Sequence, residues 1–137
     1  MATEECRRLM EGERVARMAT CAASGPHLVP IVFAIDGDRI VSAVDHKPKR
    51  TTRLKRISNI LANPAVSLLA DHYSEEWDRL WWVRADGIAT ISEAGASYHR
   101  ALDALADRYQ QYRHHRPEGP VIEVAVERWT GWRFSPE

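Results

Sequence analysis

The apolar positions of this chain change period as it proceeds, from helical to alternating and back. Cys6, Leu9 and Met10 recur at helical spacing, with Glu4 and Glu5 in the first turn and Gly12 beyond the end, which predicts an N-terminal helix over about residues 3–11. Val15, Arg17, Ala19 and Cys21 then alternate with Ala16, Met18 and Thr20, the period of a strand, and Ala23-Ser24-Gly25-Pro26 supplies turn chemistry. Residues 27–35, rich in Val, Ile and Phe, predict a second strand. Pro30 inside it has no N–H and so demands an edge or a bulge. Asp36-Gly37-Asp38 makes a tight turn into a third strand over residues 39–44.

The helical period returns after residue 50. Thr51 or Thr52 is a candidate N-cap, and Leu54, Ile57, Ile60 and Leu61 form an apolar stripe that ends at Asn63-Pro64. Residues 65–70 predict a strand apolar on both faces, and residues 80–91 a longer one bent near Gly87. Tyr98, Ala101, Leu102, Leu105, Ala106, Tyr109 and Tyr112 share one stripe opposite Arg100, Asp103, Asp107 and Arg108, which predicts one continuous helix, stopped by Pro117-Glu118-Gly119-Pro120. A strand over residues 121–134 closes the chain. The count is six strands and two or three helices, a mainly β architecture expected as a small antiparallel barrel decorated by helices. With 137 residues and 45% hydrophobic content, one core and a single domain over residues 1–137 are expected.

Charge adds a local signal to this pattern. Basic and acidic residues number 19 each, so the molecule as a whole exerts no pull on nucleic acid or membrane. Yet residues 46–70 contain no acid, while Lys47, Lys49, Arg50, Arg53, Lys55 and Arg56 crowd into their first part. These cations occupy a loop and the start of a helix, where free N–H groups and the helix dipole also favour an anion, and a phosphate is the natural guest. The plain alternative is a solvated helix face. Against it stand the start of the cluster ahead of the helix and the absence of interleaved acids. Trp77, Trp81, Trp82, Trp129 and Trp132 lie in or beside apolar strands, where core or interface packing is expected and not a stacking platform for single-stranded nucleic acid.

Other chemistry has little support. The histidines show no zinc-ligand spacing, no serine sits in a Gly-x-Ser-x-Gly turn, and Asp71-His72 reads as a surface or capping pair. Cys6 and Cys21 lack the spacing of a metal or redox pair and are expected as small buried or half-buried thiols. No apolar run near the start suits a signal peptide or a membrane span, which places the expected protein in the cytoplasm.

The order of parts, a strand carrying Pro30, a hairpin at Asp36-Gly37, a basic loop and helix, then Asn59-Ile60-Leu61-Ala62-Asn63-Pro64-Ala65-Val66-Ser67-Leu68, resembles the pyridoxamine 5'-phosphate oxidase-like split β-barrel superfamily. The runs Trp82-Val83-Arg84-Ala85-Asp86-Gly87 and Trp129-Thr130-Gly131-Trp132 are similar to its branch associated with the deazaflavin coenzyme F420; the likeness spans roughly residues 10–134. It implies a six-stranded Greek-key split barrel and a homodimer with cofactor sites between the subunits. It also implies hydride transfer from the coenzyme to a conjugated double bond of a small-molecule substrate. Carried over position by position, the main chain of Pro30, Ile31 and Val32 would face the ring, and Val44 and Asp45 would flank it. Lys49, Arg50 and Arg56 would hold the phosphate within the segment that also carries Lys47 and Arg53. Trp82 and Arg84 would come from the partner subunit.

Two departures shape that expectation. Relatives that oxidise the vitamin with flavin mononucleotide (FMN) often carry Arg-Gln-Val-Arg where this chain has Trp81-Trp82-Val83-Arg84, and they end in an Arg-x-His pair that is missing here. Many deazaflavin relatives have Ser-x-Lys where this chain has Leu54 and Arg56. FMN on the same scaffold, and a non-catalytic flavin- or haem-binding protein, are the alternatives. Neither nucleic acid, membrane nor metal is an expected partner.

Overall fold

The structure, a computed structural model, describes residues 1–44 and 55–135. Among the described residues, seven strands form one antiparallel sheet: β1 (Ala16–Ala22), β2 (Gly25–Ile31), β3 (Ala34–Asp36), β4 (Arg39–Ala43), β5 (Ala65–His72), β6 (Trp81–Ser92) and β7 (Val121–Arg133). Their order in the sheet is β2-β1-β5-β6-β7-β4-β3. The sequence pattern predicts six strands, and the difference lies in residues 27–35. That run breaks at Val32 and Phe33, so it supplies β2 at one end of the order and β3 at the other. Pro30 sits on β2 opposite Arg17, and β2 is an edge strand, the place in a sheet where a proline is tolerated.

Alternation decides which face of each strand is buried. Ala16, Met18 and Thr20 of β1, Val66, Leu68 and Ala70 of β5, and Val83, Ala85 and Ala89 of β6 all point into one core, closed over by Cys6 and Met10 of helix α1 (Thr3–Glu11) and by Ile57 and Ile60 of helix α2 (Lys55–Ala62). The opposite residues form an outer face whose rows can be read from the register. Pro30, Arg17, Leu69, Arg84 and Thr130 make one row, and Leu28, Ala19, Ser67, Asp86 and Arg128 the next.

β6 and β7 slip register between Asp86 and Gly87. Only glycine fits there, because a Cβ on Gly87 would stand 2.3 Å from the carbonyl oxygen of Ala125. The irregularity falls at Gly87, where the pattern marks β6, with the extra residue, Glu127, on β7.

The candidate N-caps Thr51 and Thr52 lie outside the described residues. α2 is pinned from its inner side by the buried pair Asn59 and Thr20, whose amide nitrogen and hydroxyl are 3.0 Å apart. A second apolar cluster joins β3, β4 and the start of β7 to helix α3 (Ala96–Arg108) and the short helix α4 (Gln110–His114) through Val41, Leu102, Leu105 and Tyr112. The predicted continuous helix is thus two, because Tyr109 adopts an extended conformation between them.

One expectation for a single residue fails. Cys21 is exposed, whereas Cys6 is buried, and burial raises the Cys6 thiol above the ordinary range. Of the five tryptophans, Trp81 and Trp129 are half-buried against the core, while Trp77 and Trp132 are 60% and 42% exposed, the first on a 3-10 turn, the second on the outer face of β7. No described helix is long and apolar enough to cross a membrane.

Candidate functional site

A pocket opens where the sheet's two ends meet. The end of β2 and the end of β4 stand five places apart in the strand order, yet the Ser42 hydroxyl donates to the Val32 carbonyl at 2.9 Å. Only Val32 and Phe33 separate β2 from β3, which stand at opposite ends of the order, so the sheet has curled to bring its two ends together. Between them lies a cleft of about 170 Å³ lined by Val15, Pro30, Ile31, Val32, Ser42, Ala43 and Arg56.

Each lining residue is there for a local reason. Pro30, Ile31 and Val32 lie where β2 leaves the sheet. Ser42 and Ala43 end β4, which pairs with β7 through Ile122 and Val121. Arg56 lies in the first turn of α2, and the burial of Ile57, Asn59 and Ile60 orients that helix. Of the two cations of the basic segment that the structure describes, Arg56 reaches the cleft. Lys55 instead places its ammonium 2.8 Å from the Ser24 hydroxyl, in the turn between β1 and β2.

Four of the expected site residues, Pro30, Ile31, Val32 and Arg56, are therefore gathered in one cleft, and Val44 directly follows the lining residue Ala43. Asp45, Lys47, Lys49, Arg50 and Arg53 lie outside the described residues. Trp82 and Arg84 do not join the cleft of their own chain. Arg84 shares a row with Pro30, but β1 and β5 intervene, and three strand spacings put it roughly 14 Å away.

The Arg84 guanidinium lies 5.9 Å from the Trp82 ring centre and pairs with Asp86 at 3.2 Å. Arg128 reaches the same carboxylate at 3.4 Å, and the Ser67 hydroxyl donates to it at 2.6 Å. Partial burial alone would raise Asp86. The Ser67 hydrogen bond, the Arg84 charge and bond, and the Arg128 bond outweigh it and hold the carboxyl below the usual carboxylate range.

Pattern reading missed Val15, Ser42 and Ala43. Ser42 alone left a signal, as the one hydroxyl in the apolar run Ile40-Val41-Ser42-Ala43.

The cleft combines a main-chain wall, apolar side chains and one permanent cation at its rim. Those features suit a flat, partly apolar ligand with an anionic extension. Its volume is below the roughly 300–1,000 Å³ typical of pockets that enclose drug-sized ligands. The described residues of one chain thus form a cleft with room for only part of such a ligand. Among them, no three His, Cys, Asp or Glu side chains are gathered as metal ligands.

A family model described as pyridoxamine 5'-phosphate oxidase matches residues 2–133. No curated protein matches the sequence. Among solved structures, a FAD-binding protein from Mesorhizobium loti is 19% identical, with 98% of this chain and 96% of that chain covered and a TM-score of 0.77. A FAD-binding protein from Mycobacterium smegmatis is 21% identical, with 98% of each chain covered and a TM-score of 0.70. HupZ from Group A Streptococcus is 26% identical, with 97% and 95% covered and a TM-score of 0.68.

Proposed function

The chain belongs to the pyridoxamine 5'-phosphate oxidase family, and from that membership we propose that it is an oxidoreductase that binds the deazaflavin coenzyme F420 in the cleft between β2 and β4. The observation that carries the reading is the arrival of Arg56 at the same cleft as the main chain of Pro30–Val32. A cation that ends a basic run of sequence and also faces an apolar slot fits the phosphate end of a ring-bearing coenzyme.

In this reading the coenzyme, when bound, supplies hydride exchange at its ring with a conjugated double bond of a small substrate. The protein's part is positional. The wall of Pro30, Ile31 and Val32 presents the ring at a fixed angle, while Val15 and Ala43 keep water from its apolar edge. Arg56, with Lys49 and Arg50 nearby in sequence, holds the anionic arm, Lys47 and Arg53 add charge to the same segment, and Val44 and Asp45 flank the ring.

A homodimer completes the site. The outer sheet face carries Leu28 at 67% exposure, Leu69 and Trp132 among the charged side chains of Arg17, Arg84, Asp86 and Arg128, a mixed surface that a second copy can cover. Such a pairing brings Trp82 and Arg84 of one protomer toward the cleft of the other, beyond the reach they have within their own chain.

FMN on the same scaffold is the second reading, favoured by the FAD-binding relatives of like fold. Fluorescence titration of the purified protein with each coenzyme separates the two. The deazaflavin reading predicts tighter binding of F420, and tighter binding of FMN overturns it. Charge reversal at Lys49 and Arg56 together is expected to weaken deazaflavin binding at least a hundredfold with little change in melting temperature. Unchanged affinity clears both residues of the role.

A further inference from the structure

We propose that Tyr109 is the positioning residue of the cleft: its phenolic oxygen, bonded behind the wall, sets where the Val32 and Val15 segments stand against the bound coenzyme. The proposal rests on the reading of the cleft as the coenzyme site.

The first observation is a break that local sequence does not require. The apolar stripe of α3 continues through Tyr109 to Tyr112, with no Gly or Pro to interrupt it. Tyr109 nevertheless takes φ −121° and ψ 120°, and the helix stops. Breaking a helix at such a place costs hydrogen bonds, and a compensating set is needed.

The phenol provides that set. Its oxygen stands 2.8 Å from the Phe33 carbonyl and 2.8 Å from the Arg14 carbonyl, sharing its one proton between them. It accepts from the Phe33 N–H at 3.1 Å and from the Arg108 Nε at 3.1 Å.

Phe33 lies in the two-residue gap between β2 and β3, fully buried, where neither strand's ladder extends. A buried peptide group there needs a partner from elsewhere, and one side-chain oxygen serves both its N–H and its C=O. Arg108 reinforces the knot: its guanidinium lies 5.0 Å from the Phe33 ring centre and also donates to the Glu11 and Glu13 carbonyls.

The bonded residues are immediate neighbours of the cleft. Phe33 follows Val32, and Arg14 precedes Val15; both valines line the pocket. One atom therefore ties two separate stretches of its wall to the end of α3. Displacement of that wall by a fraction of an ångström changes how a flat ring is held, which binding and ring spectroscopy both sense.

The test is Tyr109→Phe, which removes the oxygen alone, in the full chain. Without coenzyme, the Phe33 amide is expected to exchange its hydrogen at least tenfold faster. With FMN and with F420 as probes, affinity for whichever the wild type binds falls at least tenfold, and the visible circular dichroism of the bound coenzyme changes. Val83→Ala, a destabilising change buried on β6, leaves those signals as in wild type. Arg108→Met, which withdraws one donor from the same oxygen, shifts them in the same direction by less and serves if the first variant does not fold.

Unchanged Phe33 exchange, or wild-type affinity and dichroism in Tyr109→Phe, overturns the proposal. Failure of the wild type to bind either coenzyme instead refutes the function assigned to the cleft, and the exchange measurement then decides the role of Tyr109 alone.

Discussion

At Asp86 opposing effects meet on one carboxyl: partial burial favours its neutral form, while Ser67, Arg84 and Arg128 favour the charged one and prevail. A carboxylate whose folded pKa is depressed contributes stability above its unfolded value, near 3.9, and that contribution is lost as pH falls through the folded value. Asp86→Asn is therefore expected to lower the melting temperature at pH 7, by about 1 kcal/mol of stability given the partly exposed partners. The difference should shrink as the solution is acidified below about pH 4. Thermal melts of both proteins across pH 3–7 check the sign. Single residues were unevenly legible. The demand that Pro30 lie at an edge follows from its missing N–H, and Arg56 stands out by charge. Tyr109 reads as one more apolar stripe residue, because its work is done by an oxygen whose partners lie 76 and 95 positions away.

Among the elements, the irregularity at Gly87 was readable because glycine within a strand has few physical uses. Gly87→Ala would drive a methyl into the Ala125 carbonyl. The expected cost is about 3 kcal/mol, a fall in melting temperature of roughly 10 °C, measurable by calorimetry. The two misread elements share one cause. Residues 27–35 break into β2 and β3, and the helix after Ala96 breaks into α3 and α4, at Phe33 and Tyr109 respectively. Those residues bond to each other, so both breaks belong to one long-range contact that periodicity cannot report. The break between strands accounts for seven where the pattern suggests six.

Across the whole molecule, the curl that brings β2 against β4 assembles the cleft, and it depends on the strand order, which alternation along the chain does not specify. The basic run was visible in sequence; its meeting with the Pro30–Val32 wall was not, except through resemblance to the family. The outer face offers a second molecular-scale prediction. Leu69→Glu replaces an exposed apolar side chain, between Arg17 and Arg84 on the face proposed to pair with a second copy, by a charge. It is expected to convert the dimer to monomer in sedimentation experiments and to weaken coenzyme binding at least tenfold. A wild-type protein that sediments as a monomer contradicts that arrangement.

The most direct test of the cleft as the coenzyme site is chemical-shift mapping of isotope-labelled protein during titration with F420, and in parallel with FMN. The account predicts the largest perturbations at Ile31, Val32, Ser42, Ala43 and Arg56. Perturbations centred on another surface, such as the groove of Thr20, Ser67 and Gly87, or no perturbation by either coenzyme, would contradict it.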